Sequence, residues 1–255
     1  ADDNGLINND NITTATSGLT ISGTAEANST VRLYQPNTGG TLLATTTADG
    51  TGNWQTDIAL AAGSSYTVVA TARDAALNVS AASSALTITV DGTNPTAPTG
   101  VSVPTYTTTT TTNVTFTAGT DTNITTSNVK MCTANDCNTG CVGATTGNSP
   151  VAVSGLTDGT SYYGCVQSRD LAGLTSAWVA SAGTVTVDTT NPTVASGVSV
   201  PSYTTTTSAN VTFTAGTDTN ITTSNVKMCT ANDCTTGCVG ATTGNSPTSV
   251  GSLSN

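Results

Sequence analysis

The chain has 255 residues, of which only 8% are charged, and its net charge is −10. Its five basic residues are scattered, so no basic stripe can neutralise phosphates, and nucleic acid is a poor partner. Histidine is absent, which removes the usual general base, the usual zinc ligand and every Ser-His-Asp arrangement. No apolar run approaches the roughly 20 residues of a membrane span. The sequence therefore predicts neither an enzyme nor a membrane-inserted segment.

The first 90 residues contain short stretches in which apolar and polar residues alternate between Gly, Asn and Asp turns. This period of two, with no helical stripe, predicts antiparallel sheets that have one solvated face. The residues expected to face inward in these strands are Val31, Leu33, Trp54, Thr56, Ile58, Tyr66, Val68, Ala70, Ala72, Leu86, Ile88 and Val90.

Six consecutive threonines, residues 107–112, precede an alternating stretch that contains Val114 and Phe116. Threonine is β-branched, so the run is best explained as strand entry and solvated sheet face. A mucin-like stalk would instead contain proline and lack the hydrophobic alternation that follows here. An ice-binding array would need a short, regular repeat, which is absent.

The segment VKMCTANDCNTGCVGATTGNSP, residues 129–150, returns almost unchanged at 226–247. Cys132 maps onto Cys229, a period of 97 residues. This period is too long for a solenoid and typical of whole β-sandwich domains. Asn-Pro pairs in the linking segments mark the boundaries. We therefore predict an all-β, elongated array of tandem Ig-like antiparallel β-sandwiches, with domains at 1–91, 92–188 and 189–255, the third incomplete.

Seven cysteines predict disulfides, because CxxC zinc spacing is missing and small extracellular domains use disulfides to support thin cores. In the second domain, Cys132 and Cys165 are expected to face outward on neighbouring strands. We therefore predict Cys132–Cys165 with Cys137–Cys141, and Cys132–Cys141 with Cys137–Cys165 as the alternative. In the third domain the same choice pairs Cys234 with Cys238 and leaves Cys229 free.

The stretch ISGTAEANSTVRLYQ, with the later turns DGTGNW and ARDAALNVS, resembles the Ig-like repeats of large bacterial adhesins and biofilm-associated proteins. The resemblance covers nearly all of the first domain. The second and third domains look like a related Ig or fibronectin-type module. Such repeats are extracellular spacers without catalytic activity, so the resemblance implies a bacterial cell-surface location and neighbouring repeats of the same chain as partners.

The adhesin repeats often hold Ca²⁺ with an acidic segment at a domain junction. By this resemblance Asp3 and Asp10 are expected ligands, together with Asp74 and Asn78. Calcium takes six to eight oxygen ligands, and residues 1–13 offer three aspartates and several Asn carbonyls. The alternative is an Asx turn with solvated carboxylates. Asp91, Asp170 and Asp188 also lie at domain junctions, each nearly alone in sequence.

The sequence thus favours an extracellular stalk that presents a distal binding region of a bacterial adhesin or fibre. One alternative is a self-assembling filament whose copies are joined by strand donation. Another is a glycan-binding or cell-binding module, and a third is the accessory region of a secreted enzyme.

Overall fold

The structure is a computed structural model that describes residues 3–7 and 9–254. It is an all-β protein of Ig-like sandwiches, as the alternation predicts. In the described part of the chain, no helix is long and apolar enough to cross a membrane. Residues 1–188 and 189–255 form two compact units, which are described separately below.

The first sandwich occupies the amino-terminal half of the first unit and packs a five-stranded sheet, β1-β7-β6-β3-β4, against the pair β2-β5. Its core contains the apolar residues of the sequence prediction, among them Val31 and Leu33, which are 1% and 0% exposed, but not Thr56. The strands are β1 Ile12–Thr13, β2 Leu19–Thr24, β3 Thr30–Gln35, β4 Thr41–Thr47, β5 Asn53–Ile58, β6 Ser64–Arg73 and β7 Leu86–Val90.

The second sandwich follows in the same unit and packs sheet β13-β10-β8 against sheet β12-β11-β14-β15-β9. Its core is built on Val114, Val129, Met131 and Val166, each at most 1% exposed. The strands are β8 Thr99–Ser102, β9 Tyr106–Thr107, β10 Thr111–Thr117, β11 Ile124–Cys132, β12 Val142–Gly147, β13 Val151–Ser154, β14 Ser161–Asp170 and β15 Val179–Val187.

The threonine run does not form one strand but spans the turn between β9 and β10. Two hydroxyls close this turn, because Oγ1 of Thr107 and Oγ1 of Thr109 both donate to the carbonyl of Thr111, at 3.0 and 2.8 Å. The run therefore enters the Val114 strand as predicted, but part of it is a turn held by side-chain hydrogen bonds.

The second unit repeats part of this plan in residues 189–254. Val211, Val226 and Val250 form its small core, with Phe213 and Met228 packed against it. Its strands are β16 Ser196–Ser199, β17 Ala209–Thr214, β18 Ser224–Met228, β19 Val239–Gly244 and β20 Thr248–Val250, arranged as β16-β17-β20 and β18-β19.

The preferred disulfide prediction is wrong, and the alternative is observed: Cys132 bonds Cys141, and Cys137 bonds Cys165. Cys132 and Cys165 do share a sheet face, but Cys132 lies opposite Tyr163, and Cys165 lies opposite Lys130. The two cysteines are thus diagonal neighbours, at a typical Cα separation of about 7–8 Å that exceeds the usual reach of a disulfide. The 133–141 loop folds over this face and supplies a partner to each.

The same correction applies in the second unit. Cys229 bonds Cys238 there, so the predicted Cys234–Cys238 bond is wrong and Cys234 is the free thiol. In the second sandwich the cysteines form a cluster of their own, in which Cys132, Cys137 and Cys165 are buried and Trp178 packs against them. The Nζ of Lys130 lies 4.1 Å from the ring centroid of Trp178, a cation–π contact that closes one side of the cluster.

Candidate metal centre

Three aspartates that are far apart in sequence meet where the linker joins the second sandwich. One carboxylate oxygen from each of Asp91, Asp121 and Asp170 lies within 4.8 Å of the others. Asp91 directly follows β7, Asp121 lies in the loop between β10 and β11, and Asp170 ends β14. Asp91 and Asp170 are buried, and Asp121 is half-buried. We call this group the junction cluster.

Each carboxylate of the junction cluster is held by a backbone amide through its Oδ1 atom. The N–H of Thr93 donates to Asp91 at 2.9 Å, that of Thr122 donates to Asp121, and that of Leu174 donates to Asp170 at 2.8 Å. The three Oδ2 atoms are buried and have no hydrogen-bond partner. Each aspartate is therefore oriented by the hydrogen bond to its Oδ1 atom, and its Oδ2 atom is available to bind a cation.

The loop that carries Asp121 is pinned to the linker. The N–H of Thr96 donates to the carbonyl of Thr120, and the N–H of Thr120 donates back to Oγ1 of Thr96, at 3.1 and 2.7 Å. Gly119 permits this approach, because a Cβ there would lie 1.7 Å from the carbonyl oxygen of Thr96. The N–H of Gly119 also donates to the buried hydroxyl of Ser168, two residues before Asp170.

The electrostatics of the junction cluster are unfavourable without a cation. Burial raises the pKa of Asp170 above its ordinary value, and the negative charges of Asp91 and Asp121 raise it further. A buried carboxylate without a paired charge is costly, and like charges nearby add to the cost. A bound cation would remove both penalties.

Asn123 is a further oxygen donor beside the cluster. Both polar atoms of its side chain are buried without a hydrogen-bond partner. It lies two residues after Asp121, and its carbonyl accepts from the N–H of Leu171, the neighbour of Asp170. An amide with no protein partner in this position is suited to bind an ion through its oxygen.

The predicted ligands Asp3 and Asp10 lie in the amino-terminal segment and show the same one-sided bonding. Asp3 accepts from the N–H of Asn11 and Asp10 from the N–H of Ile12, both at 3.0 Å, and the second oxygen of each is buried and unpartnered. The segment reaches the junction, since the N–H of Leu6 donates to the carbonyl of Leu171 at 2.7 Å. Asp3 and Asp10 are not members of the junction cluster.

The other two predicted ligands bond to each other. The backbone N–H of Asn78 donates to Oδ1 of Asp74, and its amide nitrogen donates to Oδ2, both at 2.8 Å. These bonds lower the pKa of Asp74 below its ordinary value. Both oxygens of Asp74 are thus used within one turn, and the structure does not place Asp74 in the junction cluster.

Sequence reasoning therefore missed most of this site. Asp91 and Asp170 were recognised as junction residues but not as neighbours, and neither Asp121 nor Asn123 was considered as an ion ligand. The available signal was the segment GTDTNIT, residues 119–125, which follows a predicted strand. It places two side chains with metal-binding oxygens, Asp121 and Asn123, two residues apart.

Comparison with known proteins finds a family match for the part of the chain that precedes most of this site. Residues 1–92 match the profile of the family described as "Bacterial Ig-like domain". The matched span ends just after Asp91, so it includes the first aspartate of the junction cluster.

A stretch of 150 residues is 39% identical to Chitinase A1 of Niallia circulans, covering 56% of this chain. The chain spans 20% of the length of that chitinase. Among solved structures, the fibronectin(III)-like modules of Clostridium thermocellum CbhA are similar at 15% identity and a TM-score of 0.40, over 68% of this chain and 87% of theirs. A biofilm-associated protein BSP domain is similar at 22% identity and a TM-score of 0.23, over 71% and 29%.

Proposed function

We propose that this chain is a run of Ig-like spacer domains from an extracellular bacterial surface protein, with Ca²⁺ fixing the junction between its first two sandwiches. The observation that carries the proposal is the junction cluster, in which three oriented aspartates each leave one buried oxygen without a partner. The stalk would hold a distal binding region away from the cell.

The donor set fits calcium. The three free Oδ2 atoms and the Asn123 amide oxygen are hard oxygen ligands, and the three carboxylates supply three negative charges. Calcium accepts six to eight such ligands, so backbone carbonyls or water would complete its shell. Thiolate or imidazole, which zinc and copper prefer, do not occur among these donors.

The positions of the ligands suggest what the ion would do for the molecule. Asp91 belongs to the linker after β7, whereas Asp121 and Asn123 lie in a loop of the second sandwich and Asp170 ends its strand β14. These residues would hold the ion by their free oxygens, and it would supply the positive charge that the cluster lacks. Linker and second sandwich would thereby be tied together, which is what a spacer under tension requires.

Other features support an extracellular, non-catalytic role. Three disulfides form in the described residues, and such bonds persist in oxidising compartments. The absence of histidine removes the usual acid–base group. We assign the chain no enzymatic activity and no organic cofactor, and neighbouring repeats of the same protein as its partners.

A second candidate function is that of an accessory region in a secreted enzyme. The similarity to Chitinase A1 favours it, because the matched stretch is one fifth of that protein. Binding of the chain to insoluble chitin would support this second function. A pull-down in which the chain remains in the supernatant at all chitin loadings would count against it.

The proposed calcium site is tested by titration calorimetry of the full chain after treatment with EGTA. We expect one strong site, and at least tenfold weaker binding for Asp121→Asn. Asp57→Asn is the matched control, because Asp57 bonds the hydroxyl of Thr20 on the exposed face of the first sandwich and lies outside the cluster. Equal calcium affinity in both variants would contradict the assignment.

A further inference from the structure

The first sandwich has an open groove along one edge of its smaller sheet. The groove has a volume of about 760 Å³ and runs between β2 and the segment 79–86. Its floor reaches the core residues Val31, Leu33 and Val68. Val79 on its rim is 61% exposed, so apolar surface is left uncovered here.

The second sandwich fills the corresponding position with a strand. There β8 pairs with β10, Val101 of β8 is 8% exposed in the core, and Val103, two residues on, packs against the same core. β8 also lies against β15, the counterpart of β7. In the first sandwich, the described residues before β1 do not take this place, since Leu6 bonds Leu171 at the junction instead. The groove is therefore an edge-strand position that no strand of the described residues occupies.

The backbone of β2 is available to pair with such a strand. In the described residues β2 has one hydrogen-bonded neighbour, β5. The N–H of Ala25 donates to Gly52 on that side, and every second residue of an antiparallel strand bonds the same neighbour. Gly23 and Ile21 therefore bond β5, and Ser22 and Thr24 direct their backbone groups towards the groove.

The opposite rim of the groove is already satisfied. Ser80 and Ser83 donate their N–H groups to the carbonyls of Ala72 and Ala70 in β6. Their hydroxyls accept from the N–H groups of the same two alanines, each at 3.0 Å. An added strand would thus pair with β2 and cover the apolar floor, without displacing an existing bond.

The negative charge at one end of the groove favours an occupant with a positive amino end. Glu26 and Asp74 lie at the end where β2 and β6 finish, and no lysine or arginine is among the described residues that line the groove. β8 runs antiparallel to β10, with Thr99 opposite Thr117 and Ser102 opposite Thr115. A strand placed on β2 in the same way would have its amino end beside the two carboxylates.

We propose that this groove is a strand-acceptor site for an extended peptide of a partner protein, which carries a Val-x-Val pattern and a positive charge at its amino end. The peptide would bind by strand addition, in which backbone hydrogen bonds give affinity and alternate side chains give specificity. Four residues at about 3.3 Å each match the part of β2, Ile21 to Thr24, that borders the groove. A second copy of this chain is a poorer donor, because β8 and β16 are both already paired.

The test uses the full chain and a fluorescently labelled peptide, Lys-Thr-Gly-Val-Ser-Val-Pro-Thr, in a polarisation assay. We expect saturable binding that weakens at least tenfold when both valines of the peptide become aspartate, and severalfold when its lysine becomes glutamate. Ser22→Pro removes an N–H that points into the groove and should weaken binding at least tenfold, whereas Ser22→Ala should leave it within twofold. Ala81→Trp, at an exposed rim residue, fills the groove from the other side and should act like Ser22→Pro.

Nuclear magnetic resonance of the labelled chain locates the binding. Supporting data are shifts at Ser22, Thr24 and the Trp54 indole with the junction loops unchanged. The proposal is overturned if the peptide does not bind, or if Ser22→Pro and Ala81→Trp both bind it like the wild type. Sedimentation that shows a dimer dissociated by the peptide would also overturn it, because the occupant would then be a second copy.

Discussion

At the scale of single residues, the junction cluster shows how orientation and burial create a site from ordinary aspartates. Oδ1 of Asp170 accepts from the N–H of Leu174, and its Oδ2 has no partner. Asparagine at this position would keep the first bond and remove one negative charge. Because burial and the neighbouring carboxylates oppose the charged form of Asp170, the charge destabilises the fold when no metal is bound.

We therefore predict opposite effects of Asp170→Asn with and without calcium. In EGTA at pH 7 the variant should melt at a higher temperature than the wild type. With calcium at about 100 times its dissociation constant, the wild type should gain about 2.7 kcal/mol and the variant less than half of that. Differential scanning calorimetry in both buffers measures this. A variant that melts lower than the wild type in EGTA and gains equally from calcium would contradict the account.

Gly119 is the second residue on which the junction depends. A Cβ at this position would collide with a backbone carbonyl, and no side-chain rotation can relieve that contact. We predict that Gly119→Ala destabilises the chain by more than about 2 kcal/mol and weakens calcium binding. The matched control is Gly183→Ala in β15, where a Cβ meets nothing within 4 Å. Urea unfolding of both variants is the measurement, and equal stability would show that the linker does not need this close approach.

At the scale of elements, the disulfide loops of the second sandwich illustrate what the sequence could and could not predict. The alternation placed Cys132 and Cys165 on the same face of neighbouring strands, and this part was correct. The register of β11 against β14, which sets them diagonally, is a property of two strands together that the alternation within one strand does not reveal. The strands and the core of the first sandwich were predictable because alternation within each strand reveals them. The pairing between strands depends on residues far apart in the sequence and could not be predicted in this way.

The pairing makes a direct prediction for peptide mapping without reduction. Digestion should release Cys132 linked to Cys141 and Cys137 linked to Cys165 in the second sandwich. Loop closure alone suggests about 3–4 kcal/mol for the longer loop and about 2–3 kcal/mol for the shorter one. Replacing Cys137 and Cys165 together by alanine should therefore lower stability more than replacing Cys132 and Cys141 together. A Cys132–Cys165 fragment in the digest would refute the assignment.

The acidic site also shows the limit of local signals. Asp91, Asp121 and Asp170 are separated by 30 and 49 residues in the sequence, so only the packing of the linker against two loops brings them together. The adhesin resemblance directed attention to domain junctions, where the junction cluster lies. It could not show which carboxylates face one another, because that depends on the contact between Thr96 and the loop at Gly119.

At the scale of the whole molecule, the central claim is that calcium turns a jointed pair of sandwiches into a stiff spacer. Asp91 is the only cluster member on the linker, so the ion would hold the first sandwich through this residue and the amino-terminal segment that bonds Leu171. Without the ion, repulsion between the three carboxylates should loosen the same contact. The proposed spacer function would thus rest on one equilibrium, the binding of a cation at the junction.

The most direct test measures the distance between the two sandwiches of the first unit by pulsed electron spin resonance. One label is placed at the exposed Thr47 in β4 and the other at the exposed Thr145 in β12. Genetically encoded labels avoid the native cysteines. We predict a narrow distance distribution with calcium and a distinctly broader one in EGTA, with Asp121→Asn broad in both. A distribution of the same width with and without calcium in the wild type would contradict the account.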